Sequence, residues 1–235
     1  MSARIPVVLV HGALRSRAGL LPTAGWLARR GFSPVPFGYR TRRGTLDQHA
    51  ARLRWRLEAA GLWRPDPAAV GFLTHSMGAL VVRAMLRRAH EGGGLPRPVR
   101  LAMLSPPNRG ASLARRFERS WLARGLYGDA LDELHPRVAG ALGPLPPGAA
   151  GLVLAGGAGH DRGHNPLLDG DDDGVVAVSD MGLAGTPLVL VGGTHALLQW
   201  RPAVLRVAAA FLRTGRAPPP DGAGAVPGGG LEPPT

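Results

Sequence analysis

The stretch from residue 68 to residue 88 constrains the fold more than any other part of the chain. An apolar run is followed by a short turn and then by apolar residues at helical spacing, a pattern that predicts strand, sharp turn and helix. The turn reads Thr-His-Ser-Met-Gly, with Ser76 at its centre, and it departs from the G-x-S-x-G motif only by Thr74 at the first position. In that motif the strained turn lifts the serine hydroxyl away from the sheet. We therefore expect Ser76 to present its hydroxyl at the end of a buried strand.

Strand and helix patterns alternate along the chain. Apolar runs predict strands at residues 5–10, 32–39, 70–73, 99–104, 151–155 and 188–191, and helical patterns lie at residues 20–30, 45–60, 78–88, 111–142 and 203–212. The helix at 45–60 has the clearest start, because Thr45 and Gln48 are spaced as a capping box. Alternation of this kind predicts an α/β fold with about six mostly parallel strands and helices on both faces of the sheet.

Length and composition narrow the class of protein. A chain of 235 residues is within the size of one domain, which we expect to occupy residues 1–214. Residues 215–235 are almost wholly Pro, Gly and Ala, which predicts a disordered tail. No apolar run approaches the roughly 18 residues of a membrane span, and the first strand is too short for a signal-peptide core. We therefore expect a soluble, cytoplasmic protein, and the lack of cysteine excludes disulfides and thiolate chemistry.

The formal net charge of +12 would ordinarily suggest a nucleic acid or another anionic partner. Every one of the basic residues is Arg, however, and the chain also contains 35 Gly and 23 Pro. This composition indicates a GC-rich genome, which raises the arginine content through codon supply. The arginines are scattered along the sequence with few aromatic residues between them, so we predict no nucleic-acid partner.

A serine nucleophile needs a neighbouring base and a third group that orients this base. In proteins with the turn described above, the chain order is serine, then an acid, then histidine. Five histidines follow Ser76, and His195 is the one between a buried-type strand and the final helix. The glycines at 192 and 193 provide a flexible turn before it. We predict that His195 is the base, against the alternative of a solvated loop histidine.

The acid is expected in the loop at residues 169–173, which holds several aspartates. Asp173 is favoured, because the apolar segment that follows it would anchor its carboxylate, and Asp171 is the alternative. The loop also fits two other interpretations, a solvated turn and a calcium loop over residues 169–180 with the spacing of an EF-hand. Because a glycine-rich loop and a β-like segment flank it instead of helices, we predict no metal site.

Backbone N–H groups must stabilise the oxyanion that forms when serine attacks a carbonyl. Met77 follows the serine and supplies the first donor, and Ala13, after the first strand, is expected to supply the second. Gly12 lets the backbone approach closely, and His11 is expected to brace this turn. The alternative for His11 and Gly12 is an ordinary turn at the end of a strand.

Five segments together resemble the lipase and esterase branch of the α/β-hydrolase superfamily, in the order found in that family. They are VVLVHGA at 7–13, LTHSMGALV at 73–81, LSPPNRGAS at 104–112, DDGVVAVS at 172–179 and GGTHALL at 192–198. The chain is similar to small bacterial lipases with a minimal fold, which implies an α/β-hydrolase fold with a small cap or none. The resemblance also implies Ser76 as nucleophile, Asp173 as acid and His195 as base. Ala13 and Met77 are implied as the oxyanion donors. Thr74 and the long loop at 157–172 depart from the family pattern.

We therefore expect a serine hydrolase that cleaves carboxylic esters without a cofactor. Its partner would be a small-molecule or lipid ester, with transient contact to a lipid surface. We expect residues 108–142 either to form a partial lid, with Leu113, Phe117 and Trp121 facing an acyl chain, or to pack as a surface helix. The alternatives are an acyltransferase on the same fold, a catalytically silent binding protein and an arginine-driven polyanion binder.

Overall fold

The computed structural model of the protein describes residues 4–218. Within this range six parallel strands form one sheet in the order β2-β1-β3-β4-β5-β6, which confirms the predicted α/β architecture. The strands are β1 (Ile5–Val10), β2 (Phe32–Phe37), β3 (Val70–His75), β4 (Val99–Leu104), β5 (Ala149–Ala155) and β6 (Leu188–Leu190). Because all of the strands are parallel, their carboxyl ends meet at one edge of the sheet, where ligands bind in open α/β sheets.

Helices cover both faces of the sheet. In chain order they are α1 (Leu21–Ala28), α2 (Leu46–Ala59), α3 (Met77–Glu91), α4 (Ser112–Arg116), α5 (Trp121–Tyr127), α6 (Ala130–Glu133), α7 (Pro136–Gly140), α8 (Val178–Met181) and α9 (Pro202–Thr214). One buried apolar cluster lies between the sheet and α2 and α3, and a second lies between the opposite face and α1 and α9. The central strands are buried on both faces, which explains why they are continuous apolar runs in the sequence.

The capping box predicted for α2 is confirmed. The Gln48 N–H donates to Thr45 Oγ1 at 3.2 Å, and the Thr45 N–H donates to Gln48 Oε1 at 3.2 Å. Two N–H groups at the start of the helix are thereby satisfied.

Glycine at position 78 allows α3 to lie directly against the end of β1. A Cβ atom at Gly78 would lie 2.6 Å from the carbonyl oxygen of Val10 and 2.7 Å from that of His11, distances that no side chain tolerates. The helix therefore begins in contact with the turn after β1, and the residue before its first turn, Ser76, is brought to the same place.

The segment that was expected to be helical from 111 to 142 is broken into the short helices α4 to α7. Gly128 has a φ of 58° and packs against the backbone of Arg42, which ends α5. Pro136 then starts α7 with the His135 side chain accepting a hydrogen bond from the Arg137 N–H, because proline suits the first turn of a helix. A continuous helix over this segment was therefore a wrong expectation.

The final helix, α9, ends at Thr214, and Gly215 follows it in the left-handed conformation with a φ of 72°. Of the tail predicted for residues 215–235, residues 219–235 lie outside the described part of the chain. Among residues 4–218 no helix has both the length and the apolar character that crossing a membrane requires.

Candidate active site

His195 and Asp173 form a buried hydrogen-bonded pair at the carboxyl edge of the sheet. His195 Nδ1 lies 2.6 Å from Asp173 Oδ2, and the two residues are 8% and 1% exposed. The loop after β5 carries the aspartate and the loop after β6 carries the histidine. The structure thus brings together the acid and the base that were predicted from distant parts of the sequence.

Backbone contacts hold the Asp173 carboxylate in place. Its Oδ1 accepts hydrogen bonds from the N–H groups of Val175 and Val176 at 3.0 and 2.8 Å, and its backbone oxygen accepts from the His195 N–H at 2.8 Å. Burial raises the pKa of Asp173, but hydrogen bonds from His195, Ser105 and Val176 and the charge of His195 outweigh burial, and the pKa lies below its ordinary value. The carboxylate is therefore ionised at neutral pH, and Nδ1 of His195 carries the proton between them.

The neighbouring aspartates have different partners. Asp171 accepts hydrogen bonds from the N–H groups of Ala158 and Gly159. Asp172 accepts from those of Asn165 and His164 and also from Gly174. These carboxylates stabilise the long loop before Asp173. Within residues 4–218 no three His, Cys, Asp or Glu side chains are grouped as a metal site requires.

Ser76 lies at the turn between β3 and α3 in a strained backbone conformation, with a φ of 53° and a ψ of −129°. A non-glycine residue in this region is held there by its surroundings, and such strain concentrates at functional sites. Among the hydrogen bonds of residues 4–218 none joins the Ser76 hydroxyl to His195. The preceding residue, His75, makes the contact with His195 instead.

The rings of His75 and His195 lie 4.7 Å apart between centroids and are tilted by 50°. Nε2 of His75 lies 2.9 Å from the backbone oxygen of His195, and because a carbonyl only accepts, this nitrogen carries the proton. Burial, and secondarily the charge of His195, lower the pKa of His75 to about 3. His75 is therefore neutral at physiological pH and holds the backbone of His195 next to the serine turn.

The turn after β1 packs directly against Ser76. A Cβ atom on Gly12 would lie 2.8 Å from the Cβ of Ser76 and 3.1 Å from Nδ1 of His75, so only glycine fits there. In the described part of the chain, neither the N–H of Ala13 nor that of Met77 has a hydrogen-bond partner. One of these unused donors belongs to the residue after Ser76, and the other belongs to the residue after Gly12.

Contacts with Tyr39 fix the position of this turn. The Tyr39 hydroxyl donates to the backbone oxygen of His11 at 2.9 Å, and the Tyr39 N–H donates to Nε2 of His11 at 3.3 Å. The two rings stack with centroids 4.6 Å apart. Burial, partly offset by a hydrogen bond to Gly12, lowers the pKa of His11. His11 thus braces the turn, as the sequence predicted.

Sequence reasoning missed two residues of the site. Ser105 directly follows β4 with a φ of 44°, its hydroxyl oxygen accepts from the Gly156 N–H at 3.2 Å, and it contributes to the low pKa of Asp173. Its place at a strand end was a usable signal.

Arg83 is buried in α3 and donates to the backbone oxygens of Asn108 and Gly143 at 2.9 and 2.6 Å. Arg83 thereby ties both ends of the segment 108–142 to α3.

An apolar cavity of about 180 Å³ lies under the segment 108–142. Leu113 and Phe117 line it, and Val175, two residues after Asp173, forms part of its wall. Trp121 is not among its lining residues and is 79% exposed. The expectation that Trp121 faces the same space as Leu113 and Phe117 is therefore wrong.

Comparisons with known proteins find similarity in structure but not in sequence family. No family model and no curated protein sequence matches the chain. Among solved structures, the mature form of the Bacillus licheniformis lipase BlEst2 matches with a TM-score of 0.63 and 19% identity over 83% of this chain and 85% of that chain. The metagenomic carboxyl esterase MGS0156 matches with a TM-score of 0.65 and 17% identity over 91% of this chain and 76% of that chain.

A thioesterase is also similar. The RedJ thioesterase of the prodiginine pathway in Streptomyces coelicolor matches with a TM-score of 0.54 and 18% identity over 90% of this chain and 86% of that chain. At such low identity the likeness is one of fold, and it agrees with the resemblance seen in the sequence. The six-stranded parallel sheet with helices on both faces is the α/β-hydrolase fold.

Proposed function

We propose that the protein is a serine hydrolase that cleaves carboxylic esters. The observation that carries this proposal is the buried His195–Asp173 pair beside the strained turn of Ser76. Buried charged groups are costly, and they are retained at sites that need a perturbed proton affinity. A lipase, an esterase and a thioesterase have a similar fold, which supports this class of reaction.

In the proposed mechanism the Ser76 hydroxyl attacks the acyl carbon and gives its proton to Nε2 of His195. Asp173 holds the ring so that Nε2 faces the serine, and it stabilises the imidazolium that forms. His195 then protonates the leaving alcohol, and water, activated by the same imidazole, releases the acid from the acyl-enzyme. The hydroxyl and imidazole must close their gap when substrate binds, and catalytic hydrogen bonds often tighten at that stage. No cofactor is needed for these steps.

The oxyanion of the tetrahedral intermediate would be stabilised by the N–H groups of Ala13 and Met77. Within residues 4–218 neither donor has a protein partner, and the close contact of Gly12 with Ser76 supports a position of the Ala13 N–H near the nucleophile. Losing one such donor typically costs about 2.7 to 4 kcal/mol of transition-state stabilisation. Tyr39 keeps the turn rigid, so the donors need no rearrangement during the reaction.

The acyl part of the ester is proposed to occupy the apolar cavity under α4 to α7. Its lining is almost entirely apolar, and Val175 connects it to the loop that carries Asp173. The segment 108–142 thus acts as a cover fixed at both ends by Arg83, rather than as a freely moving lid.

Replacing the nucleophile tests the proposed activity. We expect purified wild-type protein to hydrolyse short-chain aryl esters and Ser76→Ala to lose about 10,000-fold or more in kcat/KM, because the residues of such a site act as a unit. Ser179→Ala is the control, since Ser179 is exposed on α8, and it should keep wild-type activity. Turnover by Ser76→Ala equal to that of wild type, or no turnover by either, would refute the proposal; a silent binding protein predicts the latter.

Replacing Asp173 and replacing Asp171 should have opposite effects on activity. Asp173→Asn should lower kcat by about 10,000-fold, because an amide facing Nδ1 favours the wrong tautomer of His195. Asp171→Asn should retain most of the activity and lower the melting temperature, because Asp171 supports the loop through Ala158 and Gly159. Measuring ester hydrolysis and thermal unfolding of both variants distinguishes these roles. Loss of activity in Asp171→Asn alone would show that the assignment of the acid is wrong.

The buried His75 predicts a specific dependence of stability on pH. Its pKa falls from 6.5 to about 3 on folding, so between these values the unfolded chain binds a proton that the folded protein does not. Stability therefore decreases as pH falls through this window, with a contribution of up to about 1.4 kcal/mol per pH unit. We expect the free energy of unfolding of His75→Gln, measured with urea at pH 4.5, 5.5 and 6.5, to change less with pH than that of wild type. The difference between the two slopes should be about this amount.

The exposed residue His160 provides the matched control. His160→Gln should keep the wild-type slope, because the side chain is exposed in the folded protein. Equal slopes for wild type and His75→Gln would contradict the neutral, buried state of His75.

A further inference from the structure

Five arginines line a single open cavity of about 670 Å³ beside the turn after β1. They are Arg15, Arg17, Arg40, Arg52 and Arg56, and we call this cavity the arginine groove. A neighbouring cavity of about 500 Å³ shares Arg15 and Arg40 with it and adds Arg42 and Arg43. Among the described residues no aspartate or glutamate lines either cavity.

The charges of the groove are not balanced by the protein itself. In residues 4–218 none of the five groove arginines forms a salt bridge. Arg54, which lies between Arg52 and Arg56 on α2, instead pairs with Glu58 at 2.8 Å, on another side of the helix. Codon supply explains the number of arginines in the chain, but it does not explain why those of the groove converge from three separate segments without acidic partners. Like charges held together repel each other, and a bound anion would relieve this repulsion.

The groove lies on one side of the proposed nucleophile, and the apolar cavity lies on the other. The groove lies at the ends of β1 and β2. His11 lines it and directly precedes Gly12 and Ala13. Val175, on the wall of the apolar cavity, belongs to the loop after β5. Ser76 follows β3, which lies between β1 and β4 in the sheet. An ester bound at Ser76 with its acyl chain in the apolar cavity would therefore direct its leaving group towards the groove.

We propose that the arginine groove binds a phosphate on the leaving-group side of the substrate, so that the natural esters or thioesters carry phosphate. This inference rests on the proposed hydrolase function for its orientation. Arginine is suited to this role because its planar guanidinium donates two parallel hydrogen bonds to phosphate oxygens and stays charged. The headgroup of a phospholipid and a soluble phosphorylated alcohol or thiol share this chemistry.

Binding of a simple phosphate anion tests the groove without any turnover. Pyrophosphate is titrated into Ser76→Ala protein by calorimetry, with and without the further changes Arg52→Gln and Arg56→Gln. We expect these two changes to weaken binding by at least about tenfold, because each removes a charge-assisted contact. The matched control is Arg54→Gln with Arg88→Gln, which removes the same charge from arginines that pair with Glu58 and Asp47; its Kd should stay within about twofold of the parent.

Steady-state kinetics of protein that retains Ser76 then distinguish the source of the phosphate. An acyl-coenzyme A, vesicles of phosphatidylglycerol and a neutral aryl ester with the same acyl chain are compared as substrates. We expect the Arg52→Gln, Arg56→Gln variant to raise KM at least about tenfold for a phosphate-bearing substrate and to leave KM for the neutral ester unchanged. A rise in KM for the acyl-coenzyme A shows that the groove recognises a soluble phosphorylated thiol, and a rise in KM for the vesicles shows that it recognises a phospholipid headgroup.

The inference is overturned if pyrophosphate binds equally to both double variants, or if KM changes equally for charged and neutral substrates. Its failure is separate from that of the proposed function. Loss of neutral-ester hydrolysis in Ser76→Ala tests the nucleophile alone, whereas pyrophosphate binding is measured in protein that lacks this serine.

Discussion

The hydrogen bond between His195 and Asp173 is the interaction on which the rest of the site depends. Taking a carboxylate out of water costs several kcal/mol unless other groups compensate, and here two backbone N–H groups and the imidazole do so. This network keeps Asp173 ionised although it is buried. It also fixes which nitrogen of His195 carries a proton and leaves Nε2 as the acceptor that the proposed chemistry requires.

The sheet brings this pair to the serine through close backbone contacts rather than through long side chains. Glycines at 12 and 78 let the turn after β1, the start of α3 and the strained residue Ser76 pack within a few ångströms of one another. His75 then links the serine turn to the backbone of His195. The strain at Ser76 persists because the surrounding strands and turns fix this conformation. The proposed acyl and leaving-group sides follow from the strand order, since the arginine groove is lined by residues at the ends of β1 and β2, whereas Val175 of the apolar cavity follows β5.

Local features of the site were predictable from the sequence, whereas contacts between distant residues were not. The turn at Ser76 and the capping box at Thr45 depend on a few consecutive residues, so their patterns are complete in the sequence. The contact of His75 with His195 joins residues 120 positions apart, and no local pattern signals it. The break of the segment 111–142 depends partly on Gly128 approaching Arg42. The arginine groove was hidden for the same reason, because arginines that look scattered along the chain converge only in the folded protein.

Covalent labelling shows whether Ser76 is a nucleophile that His195 activates. Wild-type protein and His195→Ala would be treated with a fluorophosphonate, digested, and examined by mass spectrometry for the modified peptide. We expect one adduct on Ser76 in wild type and labelling that is slower by at least about 100-fold in His195→Ala. An adduct on another residue, or equal labelling of both proteins, would contradict this expectation.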